Sequence, residues 1–118
     1  FLTAKPVKYI IDYIKTHFDM NNVYILSAIP NSEALKEKLI WLQTNFPEFQ
    51  PENMLWVGNK MYKHVFLKHF AIKKKWKPKD ITMIDDFHDT LVKCTKYGMN
   101  AIHPSNIEAL HDKYSTLG

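Results

Sequence analysis

The sequence predicts an α/β protein of Rossmann-like form, a three-layer arrangement with helices on both faces of a parallel sheet. Three observations carry this expectation. Helix-period and strand-type segments alternate from one end of the chain to the other. The strand segments are short and continuously apolar, as in sheets covered on both faces. Polar residues then stand just past strand ends, where open parallel sheets bind their ligands. At 118 residues the chain is long enough for one domain with a sizeable core, expected to span 1–118.

The elements follow in order. Pro6 lies in a tolerated first-turn position, and Val7, Ile10, Ile11, Ile14 and Phe18 recur at helical spacing. Asn21-Asn22 breaks the pattern, and Val23-Tyr24-Ile25-Leu26-Ser27 reads as a buried strand. After Pro30-Asn31-Ser32 a second helix carries Leu35, Leu39, Leu42 and Phe46 on one stripe and exposes Glu33, Lys36, Glu37 and Gln43. Met54-Leu55-Trp56-Val57 is the second strand, stopped by Gly58-Asn59. A third helix is expected from Met61 to Lys75, its lysine-rich end matching the negative pole of the helix dipole. Ile81 to Ile84 form a third strand, Asp89 to Tyr97 a fourth helix capped by Gly98, and Met99 to Ile102 a fourth strand. Ser105-Asn106-Ile107-Glu108 has the capping-box pattern and opens a last helix with Ser105 as its N-cap.

Composition excludes several classes. A single cysteine, Cys94, excludes a disulfide scaffold and fits a reducing, cytoplasmic setting. No apolar run approaches the roughly 20 residues that cross a bilayer, and the first residues do not read as a secretory signal. Between Asn53 and Lys79 there are eight lysines and no acid, so the remainder of the chain is net acidic although the whole carries +4. Every basic residue is lysine. Without arginine, bidentate reading of bases or phosphates is missing, and nucleic acid is not the expected partner. Point-charge attraction for a small phosphorylated ligand remains. The histidines give no zinc pattern beside Cys94, and His64 and His69, five apart, do not share a helical face.

The chemistry concentrates at three strand ends. Ser27-Ala28 offers a hydroxyl and backbone N–H groups before a helix start, a natural anion site. Lys60 follows Gly58-Asn59 as a cation with reach. Asp85-Asp86-Phe87-His88-Asp89 packs three carboxylates into five residues, and hard oxygen donors near a phosphate favour Mg²⁺. Each residue alone has an ordinary reading: a turn serine, a solvated lysine, a helix-capping aspartate. Their joint occurrence in chain order is the signal.

That joint pattern resembles the haloacid dehalogenase superfamily of phosphohydrolases. Tyr24-Ile25-Leu26-Ser27-Ala28 looks like its second motif, Lys60 takes the place of its motif lysine, and Met83-Ile84-Asp85-Asp86-Phe87-His88-Asp89 looks like its acidic fourth motif. Ile-Leu-Ser-Ala followed by Pro, with Ile-Asp-Asp, is most similar to the 5′(3′)-deoxyribonucleotidase-like branch. The resemblance implies that Ser27 and the Ala28 N–H hold the phosphoryl group, that Lys60 neutralises it, with Lys63 as the alternative motif lysine, and that Asp85 binds Mg²⁺. Asp86 and Asp89 then orient the metal's waters or the lysine. The implied reaction is Mg²⁺-dependent phosphomonoester hydrolysis through an aspartyl-phosphate, on a small phosphorylated substrate of the nucleotide kind.

One departure stands out. The family's Asp-x-Asp nucleophile motif, on a strand preceding everything named here, does not occur in the sequence. That strand lies centrally in the family's sheet, between the first and third strands counted here. The chain is therefore expected to lack its central first strand, to be inactive alone, and to be completed by an N-terminal segment or a second chain. Two readings of other classes compete: a catalytically inactive scaffold that binds phosphate or protein, and a nucleic-acid binder using a continuous lysine stripe. A receiver domain is disfavoured, since its acids precede its Ser/Thr and lysine, the reverse of the order here.

Overall fold

The computed structural model describes residues 4–107. The last predicted helix lies mostly outside the described residues. The chain divides into two compact units, one comprising Ile14–Lys63 and the other His64 onward together with the start of the chain through Tyr13. The first element of the described residues is α1 (Ala4–His17).

The first unit holds a strand–helix–strand motif: β1 (Ile25–Ala28), α2 (Ser32–Asn45) and β2 (Met54–Val57). β1 and β2 pair in parallel, with Ile25 opposite Met54 and Ala28 opposite Val57. Val23 and Tyr24, expected in the strand, stay outside it. The Val23 N–H closes a 3-10 turn onto Met20 (3.3 Å), and its carbonyl accepts the buried Asn53 Nδ2 (3.0 Å). Backbone groups so engaged are not available to a ladder. Leu42, Phe46, Phe49, Met54 and Val57 are buried here. Trp56, on the strand expected to be covered on both faces, is 51 % exposed. In a two-stranded sheet each strand is an edge, and one face can remain open.

The second unit repeats the motif. It contains α3 (Lys63–Lys74, of which Lys63 belongs to the first unit), β3 (Thr82–Ile84), α4 (His88–Lys96) and β4 (Asn100–Ile102). β3 and β4 are parallel, with Thr82 opposite Asn100 and Ile84 opposite Ile102. Met83, Thr90, Cys94, Met99 and Ile107 are buried. The four strands thus form two parallel pairs, and no ladder joins the pairs among the described residues.

Two helix ends in this unit close in the same way. After α4, Gly98 adopts φ 90°, its N–H reaches the Thr95 carbonyl (3.0 Å) and the Met99 N–H reaches Cys94 (3.1 Å). After α3, Lys75 adopts φ 61°, its N–H reaches Ile72 (3.1 Å) and the Trp76 N–H reaches Ala71 (2.9 Å). Both are Schellman closures, whose left-handed position favours glycine. Only the first was signalled by a glycine in the sequence.

The expected capping box is displaced. Residues 104–107 are helical, so Ser105 is inside the helix, and His103 precedes it. The His103 Nδ1 accepts the Ser105 N–H (3.1 Å) and lies 2.8 Å from the Ser105 Oγ. Proline is favoured at a first helical position, and Pro104 moves the start upstream of the serine.

Candidate functional site

In the first unit, parallel pairing brings the carboxyl ends of β1 and β2 to one edge. Ser27 is half-buried near the end of β1, opposite Trp56. The ladder extends one step beyond the strands, through the Ile29 N–H to the Val57 carbonyl (2.8 Å). Ala28 is exposed. The helix that follows is capped separately, by the Asn31 side chain accepting the Ala34 N–H (2.9 Å). After β2, Asn59 Oδ1 accepts the Met61 N–H (2.9 Å) and starts a 3-10 turn whose first residue is Lys60, exposed to solvent.

Lys63, three residues later, is half-buried and lies near a lysine that the sequence reading passed over. Burial of the Lys38 ammonium, with the Lys63 charge adding to it, brings the Lys38 pKa down to about 8. A signal was present: Leu35, Lys38, Leu39 and Leu42 occupy the i, i+3, i+4, i+7 positions of one helical face, so Lys38 interrupts an apolar stripe. The two lysines are close enough for the Lys63 charge to act on the Lys38 ammonium.

In the second unit, Asp85 directly follows β3 and is 7 % exposed. Its N–H continues the ladder to the Ile102 carbonyl (3.2 Å), and its Oδ1 accepts the Phe87 N–H (3.0 Å). Asp85 therefore organises the loop before α4 and is not the helix cap, a position Phe87 holds with no side-chain bond. Asp86 is exposed. Asp89 is half-buried and pairs with Lys93 one turn on (Oδ2–Nζ 3.2 Å). On the buried side of α4, the Thr90 hydroxyl has no hydrogen-bond partner among the described residues, and Cys94 is fully buried. The Cys94 thiol is pushed up to about 11, by burial first and by the Asp85 carboxylate second. Among the described residues, no group of three or more His, Cys, Asp or Glu side chains is arranged to hold a metal ion.

His64 is buried, stacked on Tyr97 with ring centroids 6.3 Å apart, and its Nδ1 has no hydrogen-bond partner among the described residues. His69 is exposed. These are a core filler and a surface residue.

No protein-family model, curated protein or solved structure matches the chain. Among the described residues no helix is long and apolar enough to cross a membrane.

Proposed function

We propose that this chain carries the phosphate- and metal-binding part of a Mg²⁺-dependent phosphomonoester hydrolase of the haloacid dehalogenase type. Its substrate is a small phosphorylated molecule of the nucleotide class, and its nucleophile comes from a complementing N-terminal segment or a second chain. The observation that carries this reading is order. Ser27, Lys60 and Asp85 follow one another along the chain, each at or just past the carboxyl end of a strand in a parallel strand–helix–strand unit.

The donor chemistry fits the metal. Mg²⁺ is held by one or two carboxylates together with waters and substrate phosphate, and a full protein cage is not needed. Asp85 offers a buried carboxylate whose oxygen is oriented by the Phe87 N–H. Asp86 and Asp89 would act from further out, Asp89 through its pair with Lys93. When bound, the metal would supply neutralising charge for the phosphoryl oxygens. The Ser27 hydroxyl and the Ala28 N–H would hold those oxygens, and Lys60 or Lys63 would stabilise their growing charge. The single buried thiol suits a cytoplasmic, reducing setting.

Thermal melts of the chain with millimolar Mg²⁺, inorganic phosphate, or both test the reading. The expected result is a raised Tm for the wild type with both ligands. Asp85→Asn should abolish the Mg²⁺ contribution and Ser27→Ala the phosphate contribution. A wild type indifferent to both ligands overturns the proposal. Stabilisation by phosphate alone, unchanged in Asp85→Asn, identifies the inactive phosphate-binding scaffold instead.

A further inference from the structure

We infer that the second unit carries a docking groove for an acidic peptide segment with one large apolar anchor. This inference stands apart from the phosphohydrolase reading and uses none of its residues. Lys68, Ile72, Trp76, Pro78, Tyr97 and Met99 line an open groove of about 170 Å³. Pockets that engulf a small molecule hold roughly 300–1,000 Å³, so this one accommodates a single side chain.

The lining and the charge interleave along the chain. Ile72, Trp76 and Pro78 line the groove, while Lys73, Lys74, Lys75, Lys77 and Lys79 lie between and beside them, all exposed. No acid occurs from Asn53 to Lys79. The Lys68 ammonium sits 4.8 Å from the Tyr97 ring centroid, placing another cation in the lining. Ile72 is 66 % exposed beside this charge. An apolar slot among cations complements an apolar residue flanked by Asp and Glu.

Two observations argue against other occupants. Single-stranded nucleic acid needs open aromatic faces for its bases, but the Tyr97 ring is already stacked by His64 and topped by Lys68, and Trp76 packs edge-on against Phe70 (5.5 Å). A bilayer surface is met by a ridge of apolar side chains, whereas the apolar feature here is concave.

Fluorescence anisotropy on the whole chain tests this. The probes are labelled Glu/Asp-rich peptides carrying a central Phe, Leu or Ser, an oligo-dT strand, and phosphatidylserine vesicles. The Phe or Leu peptide should bind in a salt-sensitive way, and the Ser version roughly tenfold more weakly, the worth of one buried apolar side chain. Ile72→Ser should reduce the Phe peptide toward the Ser level without altering the charge, and Lys77→Glu should weaken all the acidic peptides. Both positions are exposed, and unchanged circular dichroism melts establish that each variant folds. Equal binding of the Ser and Phe peptides overturns the inference, as does tighter binding of oligo-dT or vesicles, or failure of every peptide to bind.

Discussion

The two strand–helix–strand units share a plan but place their polar groups differently. In the unit of β1 and β2, the strand-end Ser27 and the helix cap Asn31 are separate residues, and the cap bonds the Ala34 N–H. In the unit of β3 and β4, α4 starts with no side-chain cap, and the strand-end Asp85 itself accepts a loop N–H. The candidate phosphate ligand is thus independent of its scaffold, while the candidate metal ligand is part of one. A residue that serves both a fold and a ligand tolerates only those substitutions that keep the bond the fold needs.

The largest expected effect lies in the core of the first unit. Leu42 is 4 % exposed, and Leu42→Ala should cost about 2–5 kcal/mol in urea unfolding. A loss no larger than that of a surface substitution would mean that α2 packs less tightly than its burial indicates.

Next comes the contrast between strand ends. Asp85→Ala strands the Phe87 N–H in a part-buried loop and should cost about 1–3 kcal/mol. Asp85→Asn keeps the acceptor and should stay close to wild type without metal. Asn31→Ala should cost about 1 kcal/mol through its lost cap, while Ser27→Ala should stay within about 0.5 kcal/mol. Equal losses at Ser27 and Asp85, measured as urea midpoints, would erase the distinction between the units.

The two Schellman closures sharpen the comparison inside the second unit. A Cβ on Gly98 would meet Pro78 at an ordinary 3.6 Å, so Gly98→Ala should suffer from backbone conformation alone, by about 1–2 kcal/mol. Lys75→Gly should gain up to about 1 kcal/mol at the same left-handed position, less whatever the freer unfolded chain takes back. A destabilised Lys75→Gly would show that the lysine side chain contributes more than its strain removes.

The effects confined to alkaline solution are slopes, and they run in opposite directions. Lys38 drops from 10.5 to about 8 in the folded chain, so between those values the unfolded chain binds more protons and stability rises with pH. Cys94 rises from 9.0 to about 11, so across that window the folded chain holds the extra proton and stability falls. Lys38→Met should remove the rising contribution and Cys94→Ser the falling one, read from urea midpoints at successive pH values. A slope that neither variant changes would refute both assignments.

The alternation of helices and strands was legible because it rests on local pattern: β2 lies at Met54–Val57 as the sequence predicts, and α4 starts one residue early. Gly98 likewise announced its closure. What the sequence concealed depended on contacts distant along the chain. Val23 left the strand because Asn53 claimed its carbonyl. Lys38 drew no notice because a lysine on a leucine stripe looks like noise until burial is known. Lys75 gave no sign of a left-handed turn, since lysine has no preference for one. At the candidate site, the strand-end positions of Ser27 and Asp85 followed from chain order. The double duty of Asp85 did not, because Asp, Asn and Ser all read alike at a turn.

The closure after α3 has a consequence for proteolysis. Lys73, Lys74, Lys75, Lys77 and Lys79 form the densest run of trypsin targets in the chain. The bonds after Lys74 and Lys75 lie within the closure, held by the Trp76 N–H on Ala71 and by the Trp76 ring against Phe70. The bond after Lys77 precedes proline and resists trypsin for a chemical reason, while that after Lys79 lies in a 3-10 turn. Cleavage at Lys74 or Lys75 therefore requires the last turn of α3 to open, and when reclosing outpaces cleavage its rate reads the population of that opened form. A lysine-rich end that looks vulnerable in sequence becomes a built-in gauge of local unfolding.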